Sequence, residues 1–144
     1  MRAAKKNKKF SLFILIITIF VAALAFVKYN FSPALNFQDT VSVKEYDYLS
    51  RQPNSVILDV RTPEEYSDDH LINSVLIDFN SPNFKSEIAR LDKDKTYLIH
   101  CRTDRRSGHT MQLMADLGFK NMYLLKGGIL AWKQEGKPTV KEPK

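Results

Sequence analysis

Cys101 is the only cysteine in the 144-residue chain, and Arg102, Arg105 and Arg106 follow it within five positions. A thiol set among arginines is poorly suited to a hydrophobic core. It is well suited to chemistry, because neighbouring cations lower a thiol pKa and favour the nucleophilic thiolate. The same arginines can hold an anionic substrate beside it. The chain has no second cysteine to serve as a disulfide partner or resolving thiol. Any covalent intermediate on Cys101 must therefore be completed by another molecule.

The elements around Cys101 decide between a nucleophile and a small buried hydrophobe. The run TYLIH, 96–100, reads as a buried strand, and a helical pattern starts near Ser107 and stops at Gly118. Cys101 then sits between a strand end and a helix start, where backbone N–H groups converge and an anion is favoured. The other segments agree with a parallel α/β arrangement. Ser42-Val43-Lys44-Glu45 is a capping-box pattern before a short helix over 43–50, and Gln52-Pro53-Asn54 is a turn signal. SVILDV, 55–60, reads as a strand buried on both faces. Thr62-Pro63-Glu64-Glu65 starts a helix with a cap, a proline at the first helical position and a closing glutamate. VLIDF, 75–79, reads as a strand, 83–91 as a helix, NMYLL, 121–125, as a strand, and GGILAWKQEG as a closing helix. Strands alternating with helices imply a mainly parallel sheet covered on both faces.

Spacing within the loop discriminates between chemistries. Tyrosine-phosphatase loops resemble this one in placing His-Cys at a strand end, with a phosphate-binding arginine six positions after the cysteine. Here the sixth position is Ser107 and the arginine stands at five, Arg106. The shorter loop suits a sulfur bearing its anion better than a tetrahedral phosphate. Arg106 is expected to bind the anion, with Arg102 as its competitor. Asp104 is expected to pair with a neighbouring arginine. His100 precedes the nucleophile and is expected to point to the other strand face, His70 to bond a nearby loop, and His109 to face solvent. The three histidines and Cys101 show no metal-ligand spacing, so neither a metal nor a cofactor is expected.

Three motifs in order resemble the rhodanese domain, the sulfurtransferase family, over about residues 38–135. LDVRTPEEYSDDHL resembles its Asp-Val-Arg, Glu-aromatic and His-Ile segment. CRTDRRS resembles its six-residue active-site loop, Cys101 to Arg106, followed by Ser107. LGFKNMYLLKGGILAW resembles its Gly-Phe, strand, Gly-Gly and Trp ending. The resemblance implies a three-layer fold with a five-stranded sheet, a persulfide on Cys101, and a surrounding loop of Arg102, Thr103, Asp104, Arg105 and Arg106, with Ser107, that binds substrate. Asp59 and Arg61 match positions read as structural, tying the second strand to neighbouring loops. Gly127-Gly128 and Trp132 match the closing turn and helix. The chain departs from the pattern at Asp69 and at Asn73-Ser74, where the family often has Gly and Gly-Ala. It departs again at Asp104, where a glycine with positive φ is common. The implied reaction moves sulfur from a small anionic donor such as thiosulfate to a thiol or cyanide. The alternatives are a persulfide carrier or a sulfur- or redox-sensing module serving a protein partner, and then a phosphatase or arsenate reductase.

The N-terminal segment concerns location. Residues 1–9 are a basic tail with five positive charges, and 10–27 form an apolar run of 18 residues without charge. As a helix, such a run spans about 27 Å and just crosses a bilayer core. The expectation is an uncleaved transmembrane anchor, with a signal peptide cleaved after Ala23-Leu24-Ala25 as the alternative. Positive charge before the run places the domain on the non-cytoplasmic side, periplasmic or extracellular. A linker over 28–37, the domain over 38–137 and a tail over 138–144 complete the expected organisation. The basic N-terminal tail over 1–9 holds five of the six net positive charges, so the remainder is near neutral and gives no support for nucleic-acid binding. A monomer facing a membrane-associated redox partner is expected.

Overall fold

The structure is a computed structural model. It describes residues 14, 16–21 and 40–141. The chain divides into two units, Met1–Ala34 and Leu35–Lys144, each treated by itself. In the first, residues 14 and 16–21 are helical. No helix of the described residues is long and apolar enough to cross a membrane. The rest of the anticipated 10–27 span, the 1–9 tail, the 28–37 linker and residues 142–144 lie outside the described residues.

The second unit is a five-stranded, all-parallel sheet with helices on both faces. Its elements are β1 (Thr40–Val41), α1 (Val43–Ser50), β2 (Ser55–Asp59), α2 (Pro63–Asp68) and β3 (Val75–Leu76). They continue with α3 (Phe84–Ala89), β4 (Thr96–His100), α4 (Arg105–Asp116), β5 (Met122–Leu125) and α5 (Gly128–Gln134). The strand order is β1-β5-β4-β2-β3. β4 is central, pairing Ile57 with Leu98 and Asp59 with His100 on one side, and Leu98 with Tyr123 on the other. Strands flank both of its edges and helices cover both of its faces, which explains its continuous apolar composition.

Side chains alternate along β4. Tyr97 and Ile99 join Leu58, Val60, Met111 and Met114 in one core. Leu98 joins Val41, Tyr46, Leu125, Ile129 and Trp132 in the other. The helix after β4 thus packs on one face and the helix after β5 on the other. The carboxyl ends of these adjacent strands form a topological switch point, the crevice where open parallel sheets bind ligands.

Local chemistry starts the helices where expected. Ser42 Oγ accepts from Glu45 N–H at 3.3 Å, capping α1. At α2 the reciprocal capping box is complete: Thr62 Oγ1 accepts from Glu65 N–H, and Glu65 Oε2 accepts from Thr62 N–H. Several elements depart from expectation, beyond the one-residue trims of the strands expected over 55–60 and 121–125. The strand expected over 75–79 ends at Leu76, because Asp78 turns the chain by accepting from Asn80 N–H at 2.9 Å. The helix expected over 83–91 is trimmed to Phe84–Ala89. The fifth strand, Thr40–Val41, was implied by the resemblance but not located beforehand. The helix after Cys101 begins at Arg105, not at Ser107, which puts Arg105 and Arg106 on its first turn.

Candidate active site around Cys101

Cys101 leaves the carboxyl end of β4 with only 1% of its surface exposed. Its Sγ lies 3.4 Å from Ser107 Oγ, and that hydroxyl lies 3.1 Å from Asp104 O as donor. Ser107 is fully buried and holds the sulfur's flank. Among the described residues, the backbone N–H groups of Arg102 through Ser107 have no acceptor. Three of them are the orphan donors of the α4 N-terminus. Together they give the loop that follows the nucleophile a run of free donors, suited to a thiolate or an anionic leaving group.

The loop is held in shape from the α5 side. Cys101 O accepts from Ile129 N–H at 2.9 Å, and Arg102 O accepts from Leu130 N–H at 3.3 Å. Asp104 Oδ1 accepts from Gly127 N–H at 2.7 Å. This corrects the expected pairing of Asp104 with an arginine: its carboxylate ties the loop to the β5–α5 turn. Nor is Asp104 left-handed, since its φ is −124°. Gly128 has φ +58°, and a Cβ there would lie 2.3 Å from Thr103 O and 2.5 Å from Cys101 O. Gly128→Ala is therefore expected to destabilise the domain by about 2–3 kcal/mol and to depress turnover by displacing the loop. Thermal unfolding and an assay of the same preparation check both effects.

Asp59 and Arg61 form a buried ion pair at the end of β2, beside the end of β4. Arg61 is 3% exposed and donates from Nε and Nη2 to Asp59, with Nη2 2.7 Å from Oδ2. Its other donors reach Asp69: Nη1 to Oδ1 at 3.2 Å, and Nη2 to the carbonyl at 2.6 Å. Lys133 of α5 pairs with the same Asp69 carboxylate. Burial pushes the Arg61 pKa down, but the hydrogen bonds it donates to Asp59 and then Asp69, with their negative charges, raise it above its ordinary value. The aspartate at the position where the family often has glycine thus links β2, α2 and α5. Asn73, in place of the other glycine, adopts φ +61°, a conformation asparagine tolerates.

His100 points away from Cys101, into the opposite core beside Tyr46. It is fully buried, and its Nε2 stands 3.7 Å from Asp59 Oδ2. Burial holds its pKa below the ordinary imidazole value. His70 Nδ1 lies 2.9 Å from Tyr66 O, and its ring stacks on Tyr66. His109 is exposed.

The three arginines have different surroundings. Arg102 and Arg105 are exposed and form no ion pair among the described residues. Arg102 lines an open cleft of about 210 Å³ with Leu130 and Lys133. Thr103 is also exposed. Arg106 is half-buried and bound to Glu65 of α2, its Nη1 and Nη2 donating to the two carboxylate oxygens at 2.6 and 2.9 Å. Hydrogen bonds donated to Glu65, then the charges of Glu65 and Cys101, raise the Arg106 pKa against a lowering by burial. Sequence reasoning placed Glu65 only in the α2 cap and missed this contact, which joins residues 41 positions apart.

Comparison with known proteins agrees with this geometry. The model of the rhodanese-like domain matches residues 42–135. An uncharacterized protein of Synechocystis is 32% identical over 102 residues, covering 71% of this chain and 56% of the relative; the chain thus spans little more than half that relative's length. The thiosulfate sulfurtransferase GlpE of Coxiella burnetii is 33% identical over 85 residues, covering 59% of this chain and 78% of GlpE. The dual specificity phosphatase Cdc25 of Arabidopsis thaliana is 32% identical, covering 65% of this chain and 71% of the phosphatase. Among solved structures, a rhodanese-related protein of Thermoplasma volcanium is similar with a TM-score of 0.63 and 29% identity, over 72% of this chain and 98% of that one.

Proposed function

This chain belongs to the rhodanese-like family, and from that premise we propose that it is a sulfurtransferase working through a persulfide on Cys101. The observation that carries the proposal is the buried Cys101 sulfur at the β4 end, inside a loop whose backbone N–H groups are free. Sulfurtransferase-type activity is the family-level expectation. The thiolate attacks the outer sulfur of a donor such as thiosulfate. A Cys101–sulfur bond forms as the donor's sulfur–sulfur bond breaks, and the electron pair leaves with sulfite. The loop N–H groups stabilise the departing anion. A thiol or cyanide then removes the outer sulfur and restores the thiolate. No metal or cofactor enters this scheme.

The Arabidopsis relative keeps phosphatase chemistry as the second reading. Loop length argues against it here, because the sixth position after Cys101 is Ser107, whose buried side chain carries no charge. Thiosulfate:cyanide and aryl-phosphate assays on the purified full chain separate the two. Thiocyanate formation without phosphate release is expected, and the reverse would replace the proposal.

We further propose that residues 10–27 tether the domain outside the cytoplasm, near a membrane-associated donor or acceptor. Support comes from the uncharged 18-residue run and the five positive charges before it. Among the described helical residues, Ile16 and Phe20 are 57% and 64% exposed, apolar surface that a bilayer would cover. A tether over 28–38 reaches at most about 36–40 Å. Protease added to intact spheroplasts is expected to digest the domain. Full protection would overturn the orientation, and a mature soluble chain beginning near Phe26 would replace the anchor with a cleaved signal.

A further inference from the structure

The Arg106 guanidinium is held as an ion pair. Both of its Nη groups donate to Glu65, and Glu65 is itself fixed, because its Oε2 also accepts from Thr62 N–H at 3.2 Å in the α2 cap. The carboxylate cannot rotate away without breaking that cap. Arg106 stands on the first turn of α4, directly after the Cys101 loop, and the nearby Cys101 adds to the raising of its pKa. The Arg106 pKa is raised and that of Glu65 lowered, chiefly by their mutual hydrogen bonds, so both stay charged near neutrality. A cation with its counter-ion at contact distance presents a dipole, whose pull on a second anion is much weaker than that of a lone charge. The Glu65 carboxylate also repels an incoming dianion. Arg102 and Arg105 are exposed, so solvent and salt screen them.

We propose that Glu65 is a specificity-determining residue. By neutralising Arg106 it turns the donor site toward the hydropersulfide of a thiol, with at most one negative charge on its sulfurs, and away from dianionic thiosulfate. The proposal rests on the sulfurtransferase reading and names its donor class. The Cys101 thiolate attacks the outer sulfur of R–S–SH. The Cys101–sulfur bond forms, the donor's sulfur–sulfur bond breaks, and its electron pair leaves on R–S⁻. The proton stays on the transferred sulfur, and no external oxidant or reductant is consumed.

The test uses the full chain, wild type and Glu65→Gln, with cyanide as acceptor. The donors are thiosulfate and the persulfide of 2-mercaptoethanol, made in place from hydroxyethyl disulfide and sulfide. Thiocyanate is counted above the protein-free rate. Wild type is expected to show the higher kcat/KM with the persulfide. Glu65→Gln keeps an acceptor for Thr62 but removes the charge. It is expected to lower the thiosulfate KM by roughly three- to tenfold while the persulfide KM barely moves. The thiosulfate KM of the variant also becomes more salt-dependent. An unchanged ratio of the two KM values in a folded variant overturns the proposal. So does a wild-type preference for thiosulfate, a measurement that needs no variant. Turnover with neither donor is a different result, and it overturns the sulfurtransferase reading itself.

Discussion

Cys101→Ser is expected to abolish thiocyanate formation, lowering turnover by at least about a thousandfold, while the domain stays folded. The chain has one thiol, and a hydroxyl cannot carry a sulfane sulfur. The fold should survive because the change removes little volume from a site 1% exposed. The new hydroxyl also finds the Ser107 hydroxyl nearby, where Sγ now stands 3.4 Å away. A buried hydroxyl with a partner costs only about 1 kcal/mol. Circular dichroism and an assay on the same sample separate the two outcomes. Substantial turnover by the serine variant would remove Cys101 from the chemistry.

The largest effect on stability is expected at Asp59. The Asp59 side chain is fully buried, and Arg61 beside it is 3% exposed. Asp59→Ala leaves the buried Arg61 guanidinium with Asp69 alone. Removing one partner of a buried pair costs about 3–5 kcal/mol, against a total of about 5–15 kcal/mol for a typical domain. The melting temperature should fall by about 15–30 °C. Asp47→Ala is the control. Asp47 pairs with Arg51 and Lys137 at 2.7 Å each, but at the surface, where such pairs contribute about 0–1 kcal/mol. Urea unfolding of both variants gives the comparison. Equal, small losses would mean that the buried Asp59–Arg61 pair does not stabilise the domain.

Long signals in the sequence were legible, and short or tertiary ones were not. TYLIH reads as a buried strand and is one, because strands pair with both its edges and the two cores cover both its faces. The Thr62–Glu65 capping box is local chemistry and forms as written. Thr40–Val41 is too short to carry a period, and it becomes a strand only by pairing with β5. The early start of α4 at Arg105 was hidden because arginines give no apolar period there. Asp104 and Glu65 act through partners 23 and 41 residues away, contacts that no local pattern encodes. His100 was placed on the far strand face by alternation alone, and it lies there.

The persulfide on Cys101 is tested most directly by mass spectrometry of the full chain after exposure to a sulfur donor. The Cys101 peptide is predicted to gain about 32 Da, one sulfur, and to lose it to cyanide with release of one equivalent of thiocyanate. A Cys101 peptide that stays unmodified under every donor, or that carries the sulfur on no cysteine, would contradict the mechanism.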